Sequence, residues 1–161
     1  MTTAKLKNLC MKDAFDDNGN KCEFMNECTK ASIKAKRNRT KGNGFEREVI
    51  KDLKGIGYEG CVSTRSQNRL MDKNKIDVCD MNDELPVYIQ AKYTSVSPDY
   101  FKNRDACSFK DKPYSVIWKK SGKDGANSPG TIAIVDYGFF LELLKVYKNG
   151  KEKDTADDSG V

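Results

Sequence analysis

Four apolar residues in segment 44–57 recur at helical spacing and share one face: Phe45, Val49, Leu53 and Ile56. Gly55 and Gly57 close the segment, and glycine is common just after the last turn of a helix. The spacing therefore predicts a helix that ends at these glycines.

Short apolar runs after this helix predict five β-strands, at residues 60–64, 76–79, 87–91, 114–119 and 131–137. The intervening residues 81–84 predict a hairpin between the second and third strands. The remaining segments predict a polar loop at 65–75, a helix at 98–109 opened by Ser97 and Pro98, and a last amphipathic helix at 139–147. The order of elements predicts an α/β fold.

The chain has 161 residues, which is the length of one domain. We expect a helical, basic N-terminal extension at 1–41, a central domain at 42–147 and a disordered tail at 148–161. No apolar run approaches the ~20 residues of a membrane span, and no signal sequence is visible. We therefore expect a soluble protein of the cytoplasm, of the host cell if a phage encodes it.

Composition narrows the possible chemistry. The chain contains no histidine, which excludes histidine-based triads, histidine general bases and the commonest zinc ligands. Its six cysteines include no CxxC pair, and their spacing favours reduced thiols over disulfides or a zinc site. Catalysis, if any, must use carboxylates, Lys, Ser/Thr or Cys.

Positive charge is concentrated in residues 30–41. This stretch holds six basic residues and no acid, whereas the whole chain carries a net +5, so the rest of the chain nets −1. A basic arm on a near-neutral body fits electrostatic binding to the phosphates of a nucleic acid. The other interpretation, a solvated helix face, stays open on charge alone.

Oxygen-bearing side chains fall on elements that should converge. Asp77 lies in the second predicted strand, and Gln90 and Lys92 are two residues apart in the third, hence on one face. With Glu46 from the preceding helix, these side chains suit a hard divalent cation such as Mg²⁺, for which Mn²⁺ could substitute. Hydrolysis of a phosphodiester bond needs such a cation and a nearby ammonium group.

The residues that carry this chemistry belong to five motifs: KGNGFEREVI (41–50), GY (57–58), TRS (64–66), KIDV (75–78) and YIQAK (88–92). Their order and spacing resemble the PD-(D/E)XK nuclease superfamily. The opening looks like archaeal-type Holliday junction resolvases, and the IQAK strand is similar to Mrr-type restriction nucleases.

The resemblance implies a restriction-endonuclease-like mixed β-sheet flanked by helices. It also implies metal ligation by Glu46, Asp77, Gln90 and the Ala91 backbone carbonyl, with Lys92 as the catalytic lysine. One departure is that Gln90 stands where most of the superfamily has a carboxylate, which removes one negative charge from the site. Because the restriction branch also has Gln there, we do not interpret it as inactivation.

The implied partner is branched or duplex DNA, cut by a homodimer because symmetric cutting of two strands needs two sites related by a two-fold axis. The candidate DNA-binding residues are Lys34, Lys36, Arg37, Arg39, Lys41, Arg47, Arg65, Ser66 and Arg69. Trp118 fits packing in the sheet better than base stacking. The alternatives are a restriction or repair nuclease acting on duplex DNA, and a non-catalytic DNA-binding protein that retains the nuclease fold.

Overall fold

The computed structural model describes residues 25–122 and 126–157. The chain divides into two compact units, residues 1–43 and 44–161. The described part of the first unit is helical, from Met25 onward. Residues 1–24 of the expected helical extension lie outside the described residues. Within the described ranges, no helix is long and apolar enough to cross a membrane.

The described residues form five helices and five strands. In order they are α1 (Met25–Gly55), β1 (Cys61–Ser63), α2 (Thr64–Gln67), α3 (Arg69–Lys73), β2 (Val78–Asp80), β3 (Tyr88–Thr94), α4 (Tyr100–Asp105), β4 (Tyr114–Lys120), β5 (Thr131–Val135) and α5 (Tyr137–Asp157). All five predicted strands are confirmed, and so is the predicted helix end at Gly55.

The strands form one sheet in the order β1-β2-β3-β4-β5. Neighbours pair antiparallel, except that β3 and β4 run parallel over seven residue pairs, from Tyr88 with Tyr114 to Thr94 with Lys120. A parallel pair needs a crossover, and the segment containing α4 provides it. The expectation of an α/β fold with a five-stranded mixed sheet flanked by helices is confirmed.

Two hydrophobic clusters hold the second unit together. In the first, Phe45 and Val49 of α1 pack with Cys61, Val78, Leu85 and Ile89. The second cluster comprises Ile76, Tyr88, Tyr100, Cys107, Tyr114 and Val116. Because strand side chains alternate, Ile89 of β3 belongs to the first cluster and its neighbour Tyr88 to the second. Gln90 and Lys92 share the face of Tyr88, as the sequence predicted.

The predicted loop at 65–75 is wrong, because this segment forms α2 and α3. Asn68 separates the two helices, and its side chain accepts a hydrogen bond from the Met71 N–H at 3.1 Å, which caps α3. The helix predicted at 98–109 is shorter, Tyr100–Asp105, and its cap is Asp99 rather than Ser97. The Asp99 carboxylate accepts from the Lys102 N–H at 3.0 Å.

The last helix extends beyond its predicted end. α5 continues to Asp157, so residues 148–157 of the expected disordered tail are helical, whereas residues 158–161 lie outside the described part of the chain. Six of the ten residues of this segment are charged, three of them Lys, and such residues permit a helix although they cannot form a core. The apolar side of α5 is exposed, with Phe140, Leu143 and Leu144 each 46% exposed and Tyr147 63%.

Candidate active site

Asp77 directly precedes β2 and is held against β3 by its backbone and its side chain. Its N–H donates to the Ile89 carbonyl at 2.8 Å, which continues the antiparallel ladder past the end of β2. Its Oδ2 accepts a hydrogen bond from the Ala91 N–H at 2.9 Å. The carboxylate therefore lies beside the middle of β3, next to the segment that carries Gln90 and Lys92.

Gln90 is buried, with 1% of its surface exposed. Among the described residues its Oε1 has no hydrogen-bond partner. A buried carbonyl oxygen left without a donor destabilises a fold by about 1–3 kcal/mol. Such an atom is available as an oxygen ligand; the sequence predicted Gln90 as a ligand but could not show that its oxygen lacks a partner.

Glu46 reaches the site from α1. Phe45 and Val49, one turn apart, anchor that helix in the core and bury the flanking Glu46, which is 8% exposed. Two residues on, Glu48 binds the Lys119 ammonium of β4 at 2.6 Å. The Lys119 Nζ also lies 5.6 Å from the centre of the Phe45 ring. These contacts fix the position of α1 on the sheet and hence that of Glu46.

Arg65 forms an ion pair with Glu46. Its Nη2 donates to Glu46 Oε1 at 2.6 Å, so α2 brings a positive charge into the candidate site. This residue was predicted to contact DNA, and its guanidinium is still about half exposed. Asp72 of α3 also lies near enough for its charge to act on both site carboxylates. Asp72 was not predicted as a site residue, because the sequence predicts a loop for this segment.

Both site carboxyls have pKa values above their ordinary range. Burial raises the pKa of Glu46 most, the charge of Asp77 raises it further, and Arg65 opposes the shift. Burial also raises the pKa of Asp77, against the Ala91 hydrogen bond and the positive charges of Lys92 and Arg65. Burial is therefore the main reason why the charged form of both carboxyls is disfavoured.

The other predicted DNA-binding residues lie apart from this cluster. Arg47 and Arg69 are exposed, and the exposed Ser66 hydroxyl donates to the Ser63 carbonyl at 3.5 Å. In the first unit the basic residues from Lys34 to Lys41 are all exposed on α1. Helical geometry places Lys30, Lys34, Arg37 and Lys41 on one face of α1, which we call the basic stripe, whereas Lys36 and Arg39 point elsewhere.

The donor set fits a magnesium ion in part. Across the described residues, no group of three or more Cys, Asp or Glu side chains is placed to hold a metal. The set is two carboxylates and one amide oxygen, and the amide oxygen is the buried atom that lacks a partner. Hard cations accept such a mixture of oxygens. The Ala91 carbonyl stays a predicted ligand.

Comparison of the chain with protein families, with curated proteins and with solved structures found no match. The nuclease resemblance therefore depends on the motifs and on the positions of the residues described above.

Proposed function

We propose that this protein is a metal-dependent endonuclease that hydrolyses DNA phosphodiester bonds. The observation that carries the proposal is the unpartnered Gln90 oxygen, buried on the strand that also holds the Asp77 carboxylate. A cation near these oxygens would give Gln90 Oε1 a partner. The same cation would stabilise the charged forms of the Glu46 and Asp77 carboxylates, whose pKa values are raised mainly by burial.

Each site residue has a role in the proposed reaction. Glu46, Asp77 and Gln90 would hold Mg²⁺, which when bound lowers the pKa of water and neutralises charge on the phosphate. Lys92, on the same strand face as Gln90, orients the attacking water and donates a hydrogen bond to a phosphate oxygen. Arg65, whose side chain is about half exposed, holds Glu46 in place and would bring its positive charge close to a neighbouring phosphate.

Branched DNA is the substrate that we favour, cut as by a Holliday junction resolvase, and the protein acts as a homodimer. The support is the resemblance of the opening motif and the absence of a long recognition segment between the described strands. The basic stripe would supply affinity for phosphates without choosing among DNA shapes.

A second candidate function is DNA binding without catalysis. It is favoured by the 2.6 Å ion pair that already occupies one oxygen of Glu46, and because no group of three acidic or cysteine side chains among the described residues is placed to hold a metal. A restriction or repair nuclease that acts on duplex DNA remains the other alternative, and only the choice of substrate separates it from a resolvase.

The deciding experiment incubates the protein with a labelled four-way junction, a flap, a single strand and a duplex, each with Mg²⁺, Mn²⁺ or EDTA. Symmetric nicking of the junction supports the proposal, duplex cutting supports the restriction-type alternative, and binding without cutting supports the non-catalytic one. Asp77→Asn and Glu46→Gln should abolish cleavage while DNA binding persists. Lys92→Ala should lower turnover by about two to four orders of magnitude.

The matched control is Asp52→Asn, which removes a carboxylate from an exposed position of α1. It should cut at the wild-type rate. Cleavage that survives in EDTA, or in Asp77→Asn, would contradict the metal site.

A further inference from the structure

A row of three side chains crosses the sheet beside the candidate active site. The strand register pairs Lys92 of β3 with Trp118 of β4, and Trp118 with Ile132 of β5. Side chains of paired residues project from the same face of a sheet. The proposed catalytic lysine therefore has the indole of Trp118 as its neighbour on the next strand.

The hydrophobic core ends at this row. Val116, two residues before Trp118 on the same face, is completely buried in the second core cluster. Trp118 is partly exposed and belongs to neither cluster. Ile132 is 53% exposed. Trp118 and Ile132 thus form a small apolar ledge next to a group of charged side chains.

The indole of the apolar ledge is held in position. Its Nε1–H donates to the Thr94 carbonyl at 3.2 Å and to the Thr94 Oγ1 at 3.1 Å. Thr94 lies two residues past Lys92 on β3 and on the same face. Because the ring is tied to the strand that carries the site residues, little conformational freedom would be lost when a ligand packs against it.

We propose that the apolar ledge binds an unpaired nucleobase of the DNA, stacked on Trp118. This inference rests on the proposed function and specifies its substrate as DNA with a base out of the helical stack near the scissile phosphate. Aromatic side chains stack on single-stranded bases of any identity, because every base has a flat apolar face. In a continuous duplex those faces are covered by neighbouring base pairs, so the ledge has nothing to stack on.

The test uses intrinsic fluorescence, since Trp118 is the only tryptophan of the chain. The full-length protein in EDTA is titrated with a single-stranded oligonucleotide and with a blunt duplex of equal length. Binding is followed separately by the anisotropy of an end label on the DNA. We expect the single strand to quench the tryptophan emission by more than half, and the duplex to bind with little quenching.

Two substitutions separate stacking from packing. Trp118→Leu keeps an apolar side chain but removes the flat ring, and should weaken single-strand binding about fivefold to 150-fold, the range given by the loss of one stacked base. Trp118→Phe keeps a ring and should restore most of that affinity. Both should bind the duplex within twofold of wild type. Phe101→Leu, at an exposed aromatic residue of α4 outside the ledge, is the matched control and should change neither affinity.

Each contrary outcome has a distinct meaning. Single-strand binding without quenching would contradict base stacking on Trp118 but not the proposed nuclease function. Failure to bind any DNA would contradict both proposals. If Trp118→Leu and Trp118→Phe lose single-strand affinity equally, Trp118 serves only in packing of the sheet. Tryptophan emission that changes with protein concentration in the absence of DNA would assign the ledge to self-association.

Discussion

At the scale of single residues, Gln90 affects both the stability of the fold and the proposed binding of a metal ion. Its buried Oε1 has no partner in the described structure, so the metal-free protein carries a defect that a cation would remove. Natural proteins often retain such destabilising groups where function requires them.

We therefore predict opposite effects for two substitutions of Gln90. Gln90→Met replaces the unpartnered amide with an apolar side chain of similar length and should raise the melting temperature in EDTA while abolishing cleavage. A gain of 1 kcal/mol corresponds to about 2–4 °C for a protein of this size. Gln90→Glu adds a buried carboxylate and should lower the melting temperature in EDTA.

Magnesium distinguishes the two variants. It should raise the melting temperature of Gln90→Glu more than that of wild type, because a charged oxygen binds a hard cation better than an amide does. Half-maximal cleavage should then need less Mg²⁺. Gln90→Met should show a smaller magnesium effect than wild type, and an equal response from all three proteins would exclude Gln90 as a ligand.

The raised pKa values of Glu46 and Asp77 predict an unusual pH dependence. A carboxyl whose pKa is higher in the folded state retains its proton longer there, so stability falls as pH rises from the unfolded value, near 4, through the folded value. Asp77→Asn removes this loss. In EDTA it should therefore unfold at a higher urea concentration than wild type at pH 7, and the difference should disappear near pH 4.

Urea unfolding between pH 4 and 8, with and without Mg²⁺, measures this effect. Saturating Mg²⁺ should reverse the order at pH 7, because a bound cation stabilises only the protein that has the carboxylate. Asp52→Asn again serves as the control, and it should match wild type throughout. A pH-independent difference between Asp77→Asn and wild type would contradict the argument.

At the scale of elements, α1 presents the basic stripe on one face and other basic residues elsewhere. If α1 lies along a DNA backbone, one face makes the phosphate contacts. We predict that replacing Lys34 and Arg37 with Gln lowers the slope of log affinity against log salt by up to about 1.8, or 0.9 for each lost contact. Replacing Lys36 and Arg39 removes the same charge and should lower the slope less.

A filter-binding series at several salt concentrations gives both slopes. Equal slopes for the two double variants would mean that the charge of the arm acts without a preferred face. An unchanged slope in both double variants would favour the other interpretation of residues 30–41, a solvated helix face.

The strands and the first helix could be predicted because their signals are local. Alternation and apolar runs located all five strands, and the spacing of Phe45 and Val49 located the helix that carries Glu46. The short helices α2 and α3 were missed because one side-chain cap, from Asn68, decides where they separate. The motifs identified Glu46, Asp77 and Gln90, but the Arg65–Glu46 pair and the unpartnered oxygen depend on side-chain placement that no spacing encodes.

At the scale of the whole molecule, the proposed symmetric cutting requires a second copy of the chain. The apolar side of α5 offers a surface for it, since Phe140, Leu143, Leu144 and Tyr147 repeat at the spacing of a helix–helix contact and are exposed. We predict a dimer of twice 18.1 kDa, about 36 kDa, by light scattering. Leu144→Glu should give a monomer, and Val146→Glu, off this side of α5, should not.

Nuclease activity should follow the assembly state. The Leu144→Glu monomer should nick a junction on one strand at a time instead of cutting both strands together. A wild-type monomer at micromolar concentration, or a Leu144→Glu dimer, would remove α5 from the interface.

The order of the strands in the sheet also bears on how the chain folds. Each strand pairs with its neighbour in sequence, so β1, β2 and β3 can assemble through short connections, and β4 and β5 can do the same. Joining the two halves requires the parallel β3–β4 pairing, whose partners are 26 residues apart, as between Gln90 and Val116. Among the strand pairings this one closes the longest loop and costs the most chain entropy, so we expect it to be the slowest of them to form. Asp77 and Gln90 would thus meet early, while Trp118 reaches the side of Lys92 only when that last pairing forms.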